Sequence, residues 1–286
     1  MKCLCTKYIL LTIALILISG CDNTIDISYP DHEGELVVEG WIEQGEGCKI
    51  HLTKSAPFFT DIDSINLLDY AVTKAKVTLI GEDESEILTL TGSKVYFPPY
   101  YYISTDMVGE QKQRYTLEIS LSGKTYMAET TIPALVNPDS VWFEKLENSD
   151  TLGRLKVIFT DNASERNYYR LFTKTIGKED KFTPAFTSVF SDEQFNGESI
   201  EISVSRGNAS LLDTKSNRYF TLNDTVILKF CSIDKPHYDF WNTYQGLILT
   251  SVNPFAVSNK QLEGNVSDAI GVWGGYAASY DTVIAR

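Results

Sequence analysis

From Glu35 onward, apolar and polar residues alternate with a period of two, the pattern of strands that bury one face. Leu36, Val38, Gly40 and Ile42 fall on one side of the first strand, and Val37, Glu39, Trp41 and Glu43 on the other. Gln44-Gly45-Glu46-Gly47 reads as a turn. Cys48, Ile50 and Leu52 then alternate with Lys49, His51 and Thr53, so two strands pair as a hairpin. A longer connection over 55–70 follows. Ala75, Val77 and Leu79 resume the alternation, Gly81-Glu82-Asp83-Glu84 turns, and Ile87 to Leu90 returns. Tyr115, Leu117, Ile119 and Leu121 alternate with Thr116, Glu118 and Ser120; Ser122-Gly123 is a hairpin turn, and Tyr126, Ala128, Thr130 and Ile132 continue beyond it. About seven short strands in about a hundred residues predict a β-sandwich of immunoglobulin-like size over 34–134. No Cys…Trp…Cys signature ties it to antibody-type domains.

Pro133 to Pro138 mark the expected domain boundary, since proline cannot continue a central strand. Beyond it, Val141 to Phe143, Leu155 to Phe159, Tyr169 to Thr173, Thr187 to Phe190, Ile200 to Val204 and Val226 to Ile233 read as strands. The period then changes to 3.6: Tyr238, Trp241, Gln245 and Ile248, beside Tyr244 and Leu247, predict a helix over about 235–250. Asp234 can cap it, Pro236 is tolerated in its first turn, and Asn253-Pro254-Phe255 stops it. Ile270 to Tyr276 is a Gly-rich strand, and Thr282 to Ala285 closes a sheet. The predicted class is all-β: two β-sandwich-like domains, 34–134 and 135–286, the second with one packed helix.

The first 33 residues follow a different pattern. Lys2 and Lys7 precede an apolar run from Tyr8 to Ile18, broken only by Thr12. Its 11 residues are too few for a bilayer span, which needs about 20. Ser19-Gly20-Cys21 then supplies small residues and a thiol, similar to a bacterial lipoprotein processing site. The expectation is a signal peptide over 1–20, lipidation of Cys21, and a polar tether over 21–33. The membrane is thus contacted through an N-terminal lipid; leaflet and side stay open.

Composition changes the picture in two ways. Of 25 basic residues, Lys2 and Lys7 lie in the leader, which leaves 23 against 38 acidic residues, a balance of −15. That charge argues against nucleic acid and against docking on anionic lipid, and suits a solvated acidic surface. Outside the leader and Cys21, the cysteines are Cys48 and Cys231, which read either as two buried thiols or as a disulfide.

His32, His51 and His237 share no metal-type spacing with one another or with cysteine, so neither metal nor cofactor is expected. His51, opposite Ile50 and Leu52, is expected at a solvated face. No Gly-x-Ser-x-Gly elbow or phosphate loop is present. The carboxylates Asp61 with Asp63, Glu82 to Glu86, and Asp192 with Glu193 lie on turns, where sequence proximity does not make a catalytic pair. The candidate ligand or partner contact is aromatic: Tyr96, Phe97, Tyr100, Tyr101 and Tyr102 flank Pro98-Pro99, and Trp273 precedes Gly274-Gly275. The competing reading places alternate rings in the core and explains Trp273 by close packing of the last strand.

Several stretches resemble, in order, an uncharacterised bacterial lipoprotein family, the domain-of-unknown-function family numbered 4249. They are Leu36 to Ile42, Leu52 to Ser55, Ala75 to Leu79, Tyr115 to Leu117, Lys124 to Tyr126 with Ile132-Pro133, and Asn167 to Arg170. Ser191-Asp192 with Phe195-Asn196-Gly197, Asn253 to Phe255, and Ile270 to Gly274 complete the series. The resemblance implies an envelope lipoprotein of the kind often encoded beside TonB-dependent transporters, and carries no catalytic residues. The expected function is binding or assembly without catalysis, as an accessory of such a transporter; a surface adhesin or glycan-binding module is the alternative, and an envelope hydrolase the third.

Overall fold

The structure, a computed structural model, describes residues 34–56, 66–207, 218–251 and 262–286. The leader, Cys21, the tether, Asp61, Asp63 and Asn253-Pro254-Phe255 lie outside the described residues. The chain runs through β1 (Leu36–Glu43), β2 (Lys49–Lys54), a 3-10 turn (Asn66–Tyr70), β3 (Lys76–Ile80), β4 (Ser85–Ile87), β5 (Thr89–Gly92), β6 (Tyr100–Ile103), β7 (Arg114–Leu121) and β8 (Lys124–Thr131). It continues through β9 (Pro138–Lys145), β10 (Leu152–Thr160), β11 (Tyr168–Thr175), β12 (Thr183–Ser191), β13 (Ser199–Val204), β14 (Phe220–Thr221), β15 (Thr225–Ile233), helix α1 (Lys235–Ser251) and β16 (Ile270–Ile284). The all-β, sandwich-like class is what these elements build.

An eight-stranded sheet in the order β12-β11-β15-β16-β1-β2-β6-β5 organises the molecule. One of its faces carries two cores. Leu36, Val38, Ile42, Ile50 and Leu52 pack against Val77, Leu117, Ile119 and Ala128 of the β4-β3-β7-β8 sheet. Leu171, Leu228 and Phe230 pack against Leu155, Val157 and Phe159 of β10, which pairs with β9, β13 and β14. The expected boundary near 134 separates neither sheets nor cores cleanly: one sheet runs through both cores, and Val266, Trp273 and Ala277 from the C-terminal part belong to the first. β16 pairs parallel with β1, Val37 opposite Ile270 through Glu43 opposite Tyr276. From Tyr276 to Ile284 the same strand pairs antiparallel with β15. At 15 residues it is long enough to belong to both halves. Period-two alternation reports which side of a strand is covered, not which strand lies beside it, so this joint is invisible to a local reading.

Helix α1 lies on the opposite face of the large sheet, over Val189, Cys231, Ile233 and Tyr276. Its bounds match the expected helix to within a residue. Asp234 caps it as expected: Oδ1 accepts the His237 N–H at 3.2 Å. The other oxygen accepts from the Thr130 hydroxyl at 2.6 Å and the Thr131 N–H at 3.3 Å, tying the helix start to β8. Among the described residues, no helix is long and apolar enough to cross a membrane.

Candidate functional site

The face of the large sheet that carries α1 is not fully covered. Beside the helix lies a cavity of about 360 Å³. Its floor is built by the positions of β1 and β2 that alternate with core positions: Val37 and Glu39, then His51 and Thr53. Tyr96, Phe97 and Pro98, from the loop between β5 and β6, form one wall. Phe172 of β11 and residues 181–184, leading into β12, form the other.

Glu39 and His51 are directly opposite in the β1–β2 register, which places their side chains next to each other on one face. Water reaches Glu39 through the cavity mouth, yet among the described residues the carboxylate has no hydrogen-bond or ion-pair partner. Protein surrounds it on its other sides. This crowding raises its pKa above the ordinary carboxylate value, against the lowering pull of Arg170 and Lys181.

His51, expected at a solvated face, is instead 9% exposed. Its ring sits among Trp41, Tyr96 and Tyr101, with centroids at 5.9, 4.9 and 5.4 Å. The ring is hydrogen-bonded to the Tyr100 backbone, while Nε2 has no partner. A neutral imidazole that donates from Nδ1 leaves Nε2 as a bare acceptor. Burial, helped by Lys181, lowers the pKa from 6.5 to about 4.

A second polar layer lies between sheet and helix. The Arg170 guanidinium is 3% exposed and has no carboxylate within ion-pair distance among the described residues. It stacks 3.6 Å over the Trp241 ring and donates to the Tyr276 hydroxyl at 2.6 Å. That hydroxyl is 3.2 Å from Nε2 of His237. Burial first, and Arg170 second, hold His237 well below the usual histidine pKa. Nearby, Lys229 is paired with Glu43, which also accepts from the Tyr280 hydroxyl.

These histidines make stability depend on pH. Between pH 6.5 and about 4 the unfolded chain takes up a proton at residue 51 that the folded chain refuses. Stability therefore falls as pH drops through that window, by about 3 kcal/mol across its whole width. His237, shifted in the same direction, adds to the loss. Urea unfolding at pH 7 and pH 4.5 is expected to show this drop, and His51→Gln should make it smaller.

The aromatic residues singled out in the sequence divide. Tyr96 and Phe97 line the cavity, and Tyr101 stacks on His51 from β6. Tyr100 is exposed at 41% and supplies its backbone. Tyr102 belongs to the core; its hydroxyl accepts from Ala75 N–H at 3.1 Å and donates to the Val72 carbonyl at 3.4 Å. Trp273 is no surface contact either. It has no exposed area, and its Nε1 donates across the first core to the Tyr115 carbonyl at 3.0 Å. Alternation on β6 and close packing of β16, the competing reading, account for both.

Cys48 and Cys231 are free and buried, with burial pushing their thiols to about 11 and about 12. Among the described residues, no group of three or more His, Cys, Asp and Glu is placed to hold a metal ion. Glu86 does structural work: its carboxylate accepts the N–H groups of Thr105, Asp106 and Met107.

A family model, a domain of unknown function (DUF4249), matches residues 22–281. The chain belongs to the DUF4249 family. No curated protein matches it. In this DUF4249 chain, two of the stretches that carried the resemblance lock together. The Asp192 carboxylate, fully buried, accepts from Asn167 N–H at 2.8 Å and Arg166 at 3.2 Å. Gly197 N–H donates to Asp161 Oδ2 at 2.8 Å, and the Tyr169 hydroxyl donates to the other oxygen of Asp161. Asp192, Asn196 and Gly197 thus belong to a turn that holds β11 and β12 in place, a structural role.

Proposed function

We propose that this DUF4249 protein is a lipid-anchored, non-catalytic binding protein of the cell envelope. It is tethered through Cys21 and serves as an accessory of a TonB-dependent outer-membrane uptake system. The observation that carries the binding half is the cavity over β1 and β2. A concave, aromatic-walled site with a few convergent polar groups is the usual form of a small-ligand site, and here the Glu39 carboxylate and His51 Nε2 both lack partners among the described residues. The wall offers one carboxylate, whereas glycoside cleavage takes two. The high thiol pKa values make Cys48 and Cys231 poor nucleophiles. The anchor and the transporter rest on the Ser19-Gly20-Cys21 pattern and on the resemblance.

The test is co-purification of a tagged full chain from detergent-solubilised membranes. A transporter of the TonB-dependent type is expected to come down with it, and a clean monomer overturns the accessory role. Cys21→Ser should move the protein from the membrane fraction to the aqueous phase; retention in the membrane overturns the anchor.

A further inference from the structure

We infer that the cavity over β1 and β2 binds a neutral saccharide, with Glu39 and His51 accepting hydrogen bonds from neighbouring hydroxyls of one sugar ring. This rests on the binding reading above and names its ligand class.

Four observations converge. First, the floor presents two acceptors side by side and no donor between them. Glu39 offers carboxylate oxygens without a partner, and His51 offers Nε2. A wholly apolar ligand would seal both acceptors away unpaired, which is costly. A polyol supplies a donor for each.

Second, the charge balance disfavours a cation. Arg170 and Lys181 favour the charged form of Glu39, yet crowding outweighs them and its pKa stays raised, so the floor holds negative charge poorly. A cationic head would meet Lys181 on the wall without a net attraction. An anion would meet Glu39 itself, while Arg170 is buried beneath Trp241 and Tyr276 and out of reach. Hydroxyl groups bond to the carboxylate without needing a net field.

Third, Lys181 is a donor without a carboxylate partner among the described residues, 5.1 Å from the centre of the Tyr96 ring. It can donate to ring or hydroxyl oxygens from the wall. Fourth, the walls are aromatic: Tyr96 and Phe97 face Phe172 and Phe182, and Phe97 is 54% exposed. Rings of this kind pack against the C–H face of a sugar, giving apolar contact where the ligand has no hydroxyl.

In the unliganded protein Nε2 of His51 is closed off from solvent among the rings of Trp41, Tyr96 and Tyr101. Trp41 and Tyr101 are held in β1 and β6, whereas Tyr96 sits on the loop between β5 and β6. Tyr96 is therefore the ring that yields when a sugar reaches Nε2, and it then lies on the ligand.

The test is titration calorimetry on the detergent-solubilised full chain. The probes are neutral mono- and disaccharides of gluco, galacto, manno and N-acetylglucosamine type, with phenylalanine, spermidine and galacturonate as zwitterionic, cationic and anionic counterparts. At least one neutral saccharide is expected to bind saturably. Glu39→Gln should weaken it by at least about tenfold, the loss of a charge-assisted hydrogen bond. Tyr96→Ala, on a loop outside both cores, should weaken it too, with the far-UV spectrum unchanged. Tighter binding of phenylalanine, spermidine or galacturonate, lost in Glu39→Gln, overturns the saccharide assignment and leaves the binding reading standing. Saccharide binding indifferent to both substitutions overturns the site. If no probe of any class binds, the saccharide assignment falls, while the accessory role is still decided separately by co-purification.

Discussion

Gly271→Ala is expected to destabilise the native fold severely. Gly271 sits in the parallel joint between β16 and β1, opposite Val38. Its φ is +132°, a conformation that residues with a Cβ rarely adopt. A Cβ added there would lie 1.9 Å from the Val38 carbonyl oxygen and 2.7 Å from its carbon. No side chain can rotate to relieve this overlap, because what it meets is backbone. Relief requires β1 and β16 to part, and that pairing is what carries one sheet through both cores. Backbone strain alone costs about 1–3 kcal/mol. With the steric overlap the loss should exceed about 4 kcal/mol, a large share of the roughly 5–15 kcal/mol that holds a typical domain together. Gly45→Ala is the matched control: φ is +77°, and nothing lies within 4 Å of the added Cβ. It should cost about 1 kcal/mol. Urea unfolding of the two variants decides the matter. Equal, small losses in both would mean that the parallel joint is not built as described.

How far the sequence could be read follows from what alternation measures. It located β1, β2, β7, β8 and β10 because each has one face against a core, and period two is the local trace of that burial. The helix stood out because the period changes after Asp234. The parallel β1–β16 pairing left no such trace, since it joins residues far apart in the chain through backbone hydrogen bonds. The only local hint was the cluster Gly271, Gly274 and Gly275. Gly274 has room for no Cβ because His237 of α1 lies 1.9 Å from where it would stand.

The candidate site was half legible for the same reason. Tyr96, Phe97 and Tyr101 are large aromatic residues in one short stretch, which marks them in the sequence, and they do stand at the cavity or on His51. Tyr102 went with them only by adjacency, and the alternation of β6 turns it into the core. Glu39 and His51 carry no such mark. A charged or polar residue on the far side of a strand looks the same whether that side meets water or lies under another element. Here α1, the β5–β6 loop and the residues before β12 cover that side, and this depends on contacts that local sequence does not encode. The signal that was present is the pair itself, Glu39 and His51, facing each other once the hairpin register is drawn.

Lys229→Met should cost about 3–5 kcal/mol, the usual loss when one partner of a buried ion pair is removed. Lys229 on β15 and Glu43 on β1 are 7% and 4% exposed. They meet across β16, which runs between their strands. Glu43 also accepts from the Tyr280 hydroxyl, so two donors serve one carboxylate. The amine is ringed by Phe172, Phe182, Tyr276 and Tyr280, with centroids at 5.5, 5.9, 5.1 and 5.7 Å. Methionine fills a similar volume among these rings, so little packing is lost. The loss comes from Glu43, left in the interior with the Tyr280 hydroxyl as its sole remaining donor among the described residues. The double variant Glu43→Leu with Lys229→Met should therefore recover most of the stability, because replacing both charges removes the desolvation cost along with the attraction. A double-mutant cycle by urea unfolding measures this: strong positive coupling is expected, and additive losses would contradict a buried pair. The same cycle bears on the cavity. Phe172 and Phe182 line it and also flank Lys229. If the double variant is stable but its ligand affinity falls, the ion pair beneath the wall is what holds those rings in position.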